Sequence, residues 1–216
     1  MTSDPRTDGR VPAGAVGAPG ALLVIISGPS GVGKDTIIES LRQRPETRDA
    51  HYVITCTTRA PRPGEIDGVS YQFVSREEFV SMRDRGELLE ANEVHGNWYG
   101  TPRRQVADAL AASRDVLLKI DVQGAQVVKE SVPEAILIFV VPPSLEDLFQ
   151  RLRARATESV DELELRQRNA AIELARQDDY DYVVTNETGQ VERTAGRITE
   201  IIAEEHRKQP KRQVRL

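Results

Sequence analysis

The sequence contains few of the residues that build disulfides, metal centres or membrane spans. Cys56 is the only cysteine, which excludes an intramolecular disulfide framework and a multi-cysteine zinc site. The three histidines, His51, His95 and His206, show no metal-ligand spacing, so we predict no structural metal. No apolar run approaches the length that spans a bilayer, so we expect no membrane partner.

An excess of positive charge is also absent. The chain has 29 Lys and Arg against 34 Asp and Glu, a net charge of −5, so no bulk basic field favours nucleic acid or an anionic membrane. Residues 1–20 lack the cationic start and apolar core of a signal peptide and are predicted to be a disordered tail in a cytoplasmic protein. Residues 209–216 are basic and are predicted to form a solvated tail.

A glycine-rich loop near the start of the chain is the strongest functional signal. An apolar run at residues 22–26 is typical of a parallel strand buried on both faces, and Ile37, Ile38 and Leu41 follow at helical spacing. Gly-x-x-x-x-Gly-Lys alone also fits a turn with a chance lysine, but this strand and helix favour a P-loop, which binds ATP phosphates. Its residues are Gly28, Pro29, Ser30, Gly31, Val32, Gly33 and Lys34.

The position after the P-loop lysine departs from the usual pattern. A Ser or Thr hydroxyl normally binds Mg²⁺ there, whereas this chain has Asp35 followed by Thr36. Thr36 cannot simply replace the missing hydroxyl, because one helical step rotates a side chain by about 100°. A carboxylate is a good hard ligand for Mg²⁺. The hypothesis is therefore that Asp35 holds the Mg²⁺ of Mg-ATP, directly or through water.

Strands and helices alternate along most of the chain. Strands are predicted at residues 51–55, 69–74, 115–121, 135–141 and 182–185, and helices at 76–85, 102–112, 125–131, 144–152 and 160–177. A closing helix carries Val191, Ala195, Ile198 and Ile202 on one face. This alternation predicts an α/β fold with a parallel sheet between two helical layers. Residues 55–101 interrupt it as a β-rich insertion with a hairpin turning at Gly96-Asn97.

The insertion carries two arginines on a proline-stiffened loop. Arg59 and Arg62 stand three residues apart, which suits a bidentate clamp on a phosphate. Two solvated arginines are the alternative interpretation. Tyr71 and Tyr99 offer phenol hydroxyls that could reach the same phosphate, although each alone is more often a packing residue.

The motifs of the insertion resemble those of guanylate kinase. They are T-T-R-x-P-R-x-G-E-x-x-G-x-x-Y-x-F at residues 57–73 and G-N-x-Y-G-T at 96–101, with further matches at 120–125, 142–148, 151–155 and 183–186. The resemblance covers residues 21–208 and implies a P-loop nucleoside monophosphate kinase fold. It implies a core of residues 21–54, 102–150 and 171–208, a GMP-binding insertion at 55–101 and a lid at 151–170. The implied reaction transfers the γ-phosphoryl group of ATP to GMP.

The resemblance also implies a role for each matching residue. The GMP phosphate would be held by Arg59, Arg62, Tyr71 and Tyr99. The guanine would be read by Thr55, Glu90 and Thr101. Asp121 would lie between the two nucleotides, and Asn186 would lie near the adenine. Arg151, Arg155 and Arg166 would be lid arginines that act with Lys34 and Arg59 on the transferring group. A carboxylate such as Glu90 can accept from guanine N1–H and the exocyclic amine together, whereas adenine would present a lone pair. Such a bidentate contact is worth about 1–3 kcal/mol.

The acceptor phosphate is already an anion, so the reaction needs no general base. Catalysis would depend on alignment and charge neutralisation by Lys34, Mg²⁺ and the lid arginines.

Lys119, two residues before Asp121, stands where the family often has an acid, and no role is assigned to it. Two alternatives remain: a non-catalytic interaction module of this fold, and a kinase for another nucleoside monophosphate. dGMP is a plausible second acceptor, and no oligomeric state is predicted.

Overall fold

Two β-sheets and the helices around them make up the chain over residues 16–18, 20–94, 96–154 and 160–216, which the computed structural model describes. The strands are β1 (Leu23–Ser27), β2 (His51–Tyr52), β3 (Cys56–Thr57), β4 (Gln72–Phe73), β5 (Leu88–Val94), β6 (Asn97–Pro102), β7 (Val116–Lys119), β8 (Ile136–Val141) and β9 (Tyr182–Thr185). The α-helices are α1 (Lys34–Gln43), α2 (Arg76–Asp84), α3 (Arg103–Ala111), α4 (Val122–Ser131), α5 (Leu145–Ala154), α6 (Val160–Leu174) and α7 (Val191–Lys208).

The larger sheet is parallel, with the strand order β2-β7-β1-β8-β9. Successive side chains of the central strand β1 point to opposite faces, and all of them are buried. Val24 and Ile26 pack in the cluster that includes α1 and α7, whereas Leu23 and Ile25 pack in the cluster that includes α3 and α4. The predicted parallel sheet between two helical layers is therefore confirmed.

The closing helix α7 packs through the face that its sequence pattern predicts. Ala195, Ile198 and Ile202 are buried against α1 and the sheet. Within the described ranges, each helix is either too short or too polar to cross a bilayer.

Several predicted elements have different bounds in the structure. The helix predicted at residues 125–131 begins at Val122, because Asp121 Oδ1 accepts hydrogen bonds from Gln123 N and Gly124 N and so caps it. The strand predicted at 51–55 is reduced to β2, and β3 follows it in the other sheet. The strand predicted at 69–74 is reduced to β4. The long helix predicted at 160–177 is shorter in the structure. It is α6, which ends at Leu174, and a short 3₁₀ turn, Gln177–Asp179, follows it.

The second sheet is formed by residues 56–102, one residue beyond the predicted insertion, and has its own small core. Its strand order is β4-β3-β6-β5, and β5 and β6 form the predicted antiparallel hairpin. Ser75 Oγ caps α2 by accepting from Glu78 N at 3.1 Å, as its capping pattern predicts. Phe79 and Met82 of α2 pack against Cys56 and Leu88. This sheet therefore has a small core of its own, and Leu89 of β5 joins it to the core cluster that includes α3 and α4.

The two ends of the described chain pair with each other, which corrects the prediction of a solvated C-terminal tail. Val214 is fully buried beside Leu110, and Gly17 N donates to Val214 O at 2.8 Å. Val16 and Arg215 form an antiparallel bridge. Residues 16–18 are thus paired rather than disordered, while the remainder of the predicted N-terminal tail, residues 1–15 and 19, lies outside the described residues. The free energy gained by burying the Val214 side chain outweighs the tendency of this basic segment to stay in solvent.

Shortening Val214 is expected to destabilise the fold. Val214→Ala removes buried methyl groups and leaves a cavity, so the free energy of unfolding should fall by about 1.5–3 kcal/mol in urea denaturation. Arg215→Ala, at an exposed neighbouring position, is the matched control and should have little effect. Equal stability of the two variants would show that the segment does not dock in solution.

Candidate active site

The glycine-rich loop between β1 and α1 runs so close to its neighbours that only glycine fits at key positions. Gly28 has φ 141°, and a Cβ there would lie 2.3 Å from Val140 O. Gly33 has φ 102°, and its Cβ would lie 2.5 Å from Asn186 Nδ2. Glycine alone adopts these φ values without strain. The spacing of the motif therefore reflects the close approach of the loop to β8 and to the end of β9.

The side chain of Lys34 lies across this loop. Its Nζ donates to Gly28 O at 2.5 Å and to Pro29 O at 3.1 Å. Burial lowers the pKa of Lys34, while the negative charges of Glu173, Asp35 and Asp121 act in the opposite direction. The loop thus carries a partly buried cation at its centre, ready to exchange backbone carbonyls for an anionic ligand.

A carboxylate from α6 already contacts the loop. Ser30 N donates to Glu173 Oε2 at 3.2 Å, so this oxygen stands in for the kind of anion that a P-loop amide binds. Burial raises the pKa of Glu173, and the charge of Lys34 opposes that shift. The sequence did not indicate this residue, because it lies 143 positions from Ser30 within an ordinary helical pattern.

The two departures from the family pattern contact each other. The ammonium of Lys119, at the end of β7, donates to Asp35 Oδ1 in the first turn of α1. The Lys119 side chain is 19% exposed and that of Asp35 is 69% exposed. Asp35 brings a negative charge next to the phosphate-binding loop, and Lys119 offsets it. No local sequence pattern connects the two positions, which are 84 residues apart.

The donor atoms at this place fit a Mg²⁺ ion that arrives with a nucleotide. Mg²⁺ usually keeps several waters and binds one or two carboxylates together with substrate phosphates. A carboxylate has about four lone-pair sites, so the bond from Lys119 does not exhaust Asp35. Among the described residues, no three or more His, Cys, Asp or Glu side chains cluster as a metal site. Any Mg²⁺ bound here would therefore take most of its ligands from substrate phosphates and water.

A cavity extends from the glycine-rich loop to Glu90 on β5. Glu90 carries a buried carboxylate, and the residue is 4% exposed. Thr101 Oγ1 donates to its Oε1 at 2.6 Å, and Asn92 Nδ2 donates to its Oε2 at 2.7 Å. Burial raises the pKa of Glu90 to about 7, and the charge of Asp121 adds to this effect, while the two hydrogen bonds act against it. Asn92 was not indicated by the sequence. Thr55, also buried, lines the same cavity.

The two insertion arginines are organised by one carboxylate. Arg59 Nη2 donates to both oxygens of Glu65, at 2.8 and 2.9 Å, and Arg59 Nε donates to Tyr99 OH at 3.2 Å. Glu65 Oε2 also accepts from Arg62 N at 2.7 Å. Glu65 is part of the motif at residues 57–73, but its contact with Arg59 is visible only in the structure. It holds the arginine loop in one conformation before any ligand binds.

One cavity joins most of the residues that the sequence indicated. Its lining extends from the glycine-rich loop to Glu90 and includes Thr55, Arg62, Tyr71, Tyr99, Asp121 and Arg166. A phosphate chain can bind at the loop and a planar base with two adjacent donors can bind at Glu90. The cavity thus contains both the glycine-rich loop and the buried carboxylate, with Asp121 in its lining.

Other predicted residues lie outside that lining or support the loop from behind. Arg151 donates to Val32 O at 3.2 Å and to Asn186 O at 3.0 Å, so it touches the back of the loop. Asn186 is buried, and its Nδ2 donates to Val32 O at 2.8 Å. Thr36 is exposed in the first turn of α1. Arg155 lies outside the described residues.

Comparisons with known proteins agree on one family. The protein-family model described as guanylate kinase matches residues 21–205. Guanylate kinase of Desulfitobacterium hafniense (strain Y51) is 49% identical over 167 residues, which is 77% of this chain and 82% of the relative. Guanylate kinase 2, chloroplastic/mitochondrial, of Oryza sativa subsp. japonica is 43% identical over 199 residues, 92% of this chain and 69% of the relative.

A solved structure agrees as well. The crystal structure of guanylate kinase from Anaplasma phagocytophilum superposes with a TM-score of 0.70 at 34% sequence identity, and the match covers 88% of each chain. The family match extends over most of the 216 residues, including the glycine-rich loop, the insertion and α7. The chain therefore belongs to the guanylate kinase family.

Proposed function

We propose that the protein transfers the γ-phosphoryl group of ATP to GMP, and also to dGMP, giving ADP and the nucleoside diphosphate. One observation carries the proposal: the buried Glu90 carboxylate, oriented by Thr101, opens into the same cavity as Lys34 of the P-loop. The proposed compartment is the cytoplasm, whereas the rice relative is named as chloroplastic/mitochondrial.

The donor nucleotide binds at the loop in this proposal. Backbone N–H groups of residues 30–34 cradle the ATP phosphates, and Lys34 exchanges its contacts with Gly28 O and Pro29 O for the β- and γ-phosphates. Glu173 leaves Ser30 N when a phosphate oxygen takes its place. Asn186 and Arg151 both donate to Val32 O and so stabilise the conformation of the loop, next to the place where the adenine binds.

The acceptor nucleotide binds across the insertion. Arg59, Arg62, Tyr71 and Tyr99 hold the phosphate of GMP. Thr55, Glu90 and Thr101 read the guanine, because an ionised carboxylate accepts from both N1–H and the exocyclic amine. Support comes from the bidentate bond of Glu65 to Arg59, which fixes the guanidinium before GMP arrives and lowers the entropic cost of binding.

The chemistry is alignment and charge neutralisation rather than acid–base transfer. The acceptor oxygen is already anionic, so Lys34, Arg166 and Arg59 act on the charge of the transferring group, with Asp121 between the nucleotides. Arg155 is included in this set from its motif position. Bound Mg²⁺ supplies further neutralisation of the phosphates, and Asp35 is the residue that would hold it, directly or through water.

A coupled assay of ADP formation tests the proposal. GMP and dGMP should support turnover, while kcat/KM for AMP, UMP and CMP should be lower by roughly 100-fold or more, because Glu90 would face a lone pair or an unfilled space. Equal rates with AMP would refute guanine reading and favour a kinase for another nucleoside monophosphate. Absence of turnover with every acceptor would favour the interaction module.

GMP affinity is expected to depend on the protonation of Glu90. Burial raises the pKa of Glu90 to about 7, and guanine binds the ionised form, so affinity should fall as the pH drops below 7. Calorimetry in buffers of different ionisation enthalpy should then show proton release on binding. In Glu90→Gln only the titration of the GMP phosphate remains, so a wild-type profile identical to that of the variant would contradict the prediction.

A further inference from the structure

Lys119 lies where the donor loop and the acceptor site meet. Its ammonium donates to Asp35 Oδ1, next to Lys34 of the loop, and to Tyr71 OH of the insertion at 3.3 Å. The same Nζ lies 4.7 Å from the centroid of the Tyr71 ring. Lys119 therefore bridges an element of the core and an element of the insertion, at the wall of the cavity.

Tyr71 connects Lys119 to the arginine clamp. The Tyr71 ring packs edge-on against Tyr99, with centroids 6.1 Å apart, and the Arg59 guanidinium lies 5.5 Å from the Tyr71 centroid. Arg59 in turn donates to Tyr99 OH. The four side chains form one continuous cluster of two cations and two phenols, and three of them are already proposed to bind the acceptor phosphate.

We propose that Lys119 is a further phosphate-binding residue of the acceptor site, held in place by Asp35. The proposal deepens the proposed function and rests on it. An ammonium has three N–H donors, and the contacts within the described residues use two of them, to Asp35 and Tyr71. The third is available for an oxygen of the acceptor phosphate.

The charges around the cavity explain why a cation is needed here. Asp35, Glu90, Asp121 and Glu173 all line it, and two phosphorylated nucleotides would add more negative charge. The ammonium of Lys119, paired with Asp35, offsets the carboxylate that this chain places after its P-loop lysine.

A purely structural tie between β7 and α1 would predict a different pattern of effects. Such a tie would influence every ligand of the acceptor site through the shape of the cavity. A phosphate-binding lysine influences only ligands that carry the phosphate. GMP and guanosine differ by that group alone, so comparison of their affinities separates the two roles.

Isothermal titration calorimetry on the full chain tests the proposal. Lys119→Met, which keeps the length of the side chain without its charge, should weaken GMP binding by about 10- to 100-fold, as expected for a lost charge-assisted hydrogen bond. Guanosine affinity should change by less than about twofold, since no phosphate is present. Lys119→Arg should restore most of the GMP affinity, because the charge returns.

Lys129→Met is the matched control. Lys129 is also partly buried and ion-paired, with Asp181, but it lies outside the cavity, so its variant should bind GMP as the wild type does. Equal losses for GMP and guanosine in Lys119→Met, or no loss of GMP affinity in a variant with wild-type circular dichroism, would overturn the inference. Failure of the wild type to bind GMP would instead overturn the proposed function on which it rests.

Discussion

Lys34→Ala is expected to lower kcat by roughly 10²- to 10³-fold with ATP and GMP, the cost of removing one preorganised group from a developing charge. The lysine lies in the middle of the phosphate-binding loop, and its ammonium donates to the loop carbonyls of Gly28 and Pro29. Its loss would leave the carboxylates of Glu173, Asp35 and Asp121 facing the phosphates without the nearest cation. Repulsion should therefore add to the lost attraction.

Steady-state kinetics and thermal unfolding together test this prediction. The variant should keep the fold, because the shape of the loop also depends on Gly28, on Gly33 and on the bond from Asn186 to Val32 O. Lys129→Ala, at a lysine outside the cavity, is the control and should keep near-normal turnover. Near-normal turnover in Lys34→Ala itself would remove the basis for assigning phosphoryl transfer to this loop.

Glu90→Gln is expected to lower kcat/KM for GMP by roughly 10²- to 10³-fold. An amide offers one acceptor to two guanine donors, and its own N–H groups then face one of them, so a bidentate contact worth about 1–3 kcal/mol is lost and a buried donor is left unpaired. AMP should gain or stay unchanged, because its N1 lone pair can accept from the amide. The ratio of GMP to AMP activity should therefore fall at least as much as the GMP value alone.

Glu93→Gln is the matched control for this substitution. Glu93 lies on the same strand β5, but its side chain is exposed rather than held between Thr101 and Asn92. Its variant should keep wild-type discrimination between GMP and AMP in the coupled assay. If Glu90→Gln retained that discrimination as well, the guanine would have to be read elsewhere in the cavity.

Local sequence patterns predicted the parts of the fold that depend on near neighbours. The continuous apolar run of β1 indicated burial on both faces, and the helical spacing of α7 indicated the face that packs on the sheet. Both are confirmed, because period and composition act over a few residues. The bounds were less accurate where a tertiary or capping contact decided them, as at Asp121, which starts α4 three residues early.

Contacts between distant segments were not predictable from the same patterns. The ion pair of Asp35 with Lys119 joins α1 to β7, and the bond from Ser30 N to Glu173 joins the loop to α6. Neither residue of a pair carries a local signal of its partner. The basic end of the chain was predicted to be solvated for the same reason, since charge is visible in the sequence but the pocket that takes Val214 is not.

The sequence by itself determined the glycine-rich loop, the order of most strands and helices and the motifs that resemble those of guanylate kinase. Those features depend on residue type, spacing and periodicity, which are properties of short segments. Only the tertiary structure decided that Glu90 is buried enough to have a pKa near 7, that Glu65 holds Arg59, and that Lys119 neutralises Asp35. Burial and charge pairing arise when distant segments meet, and no local pattern encodes which ones will.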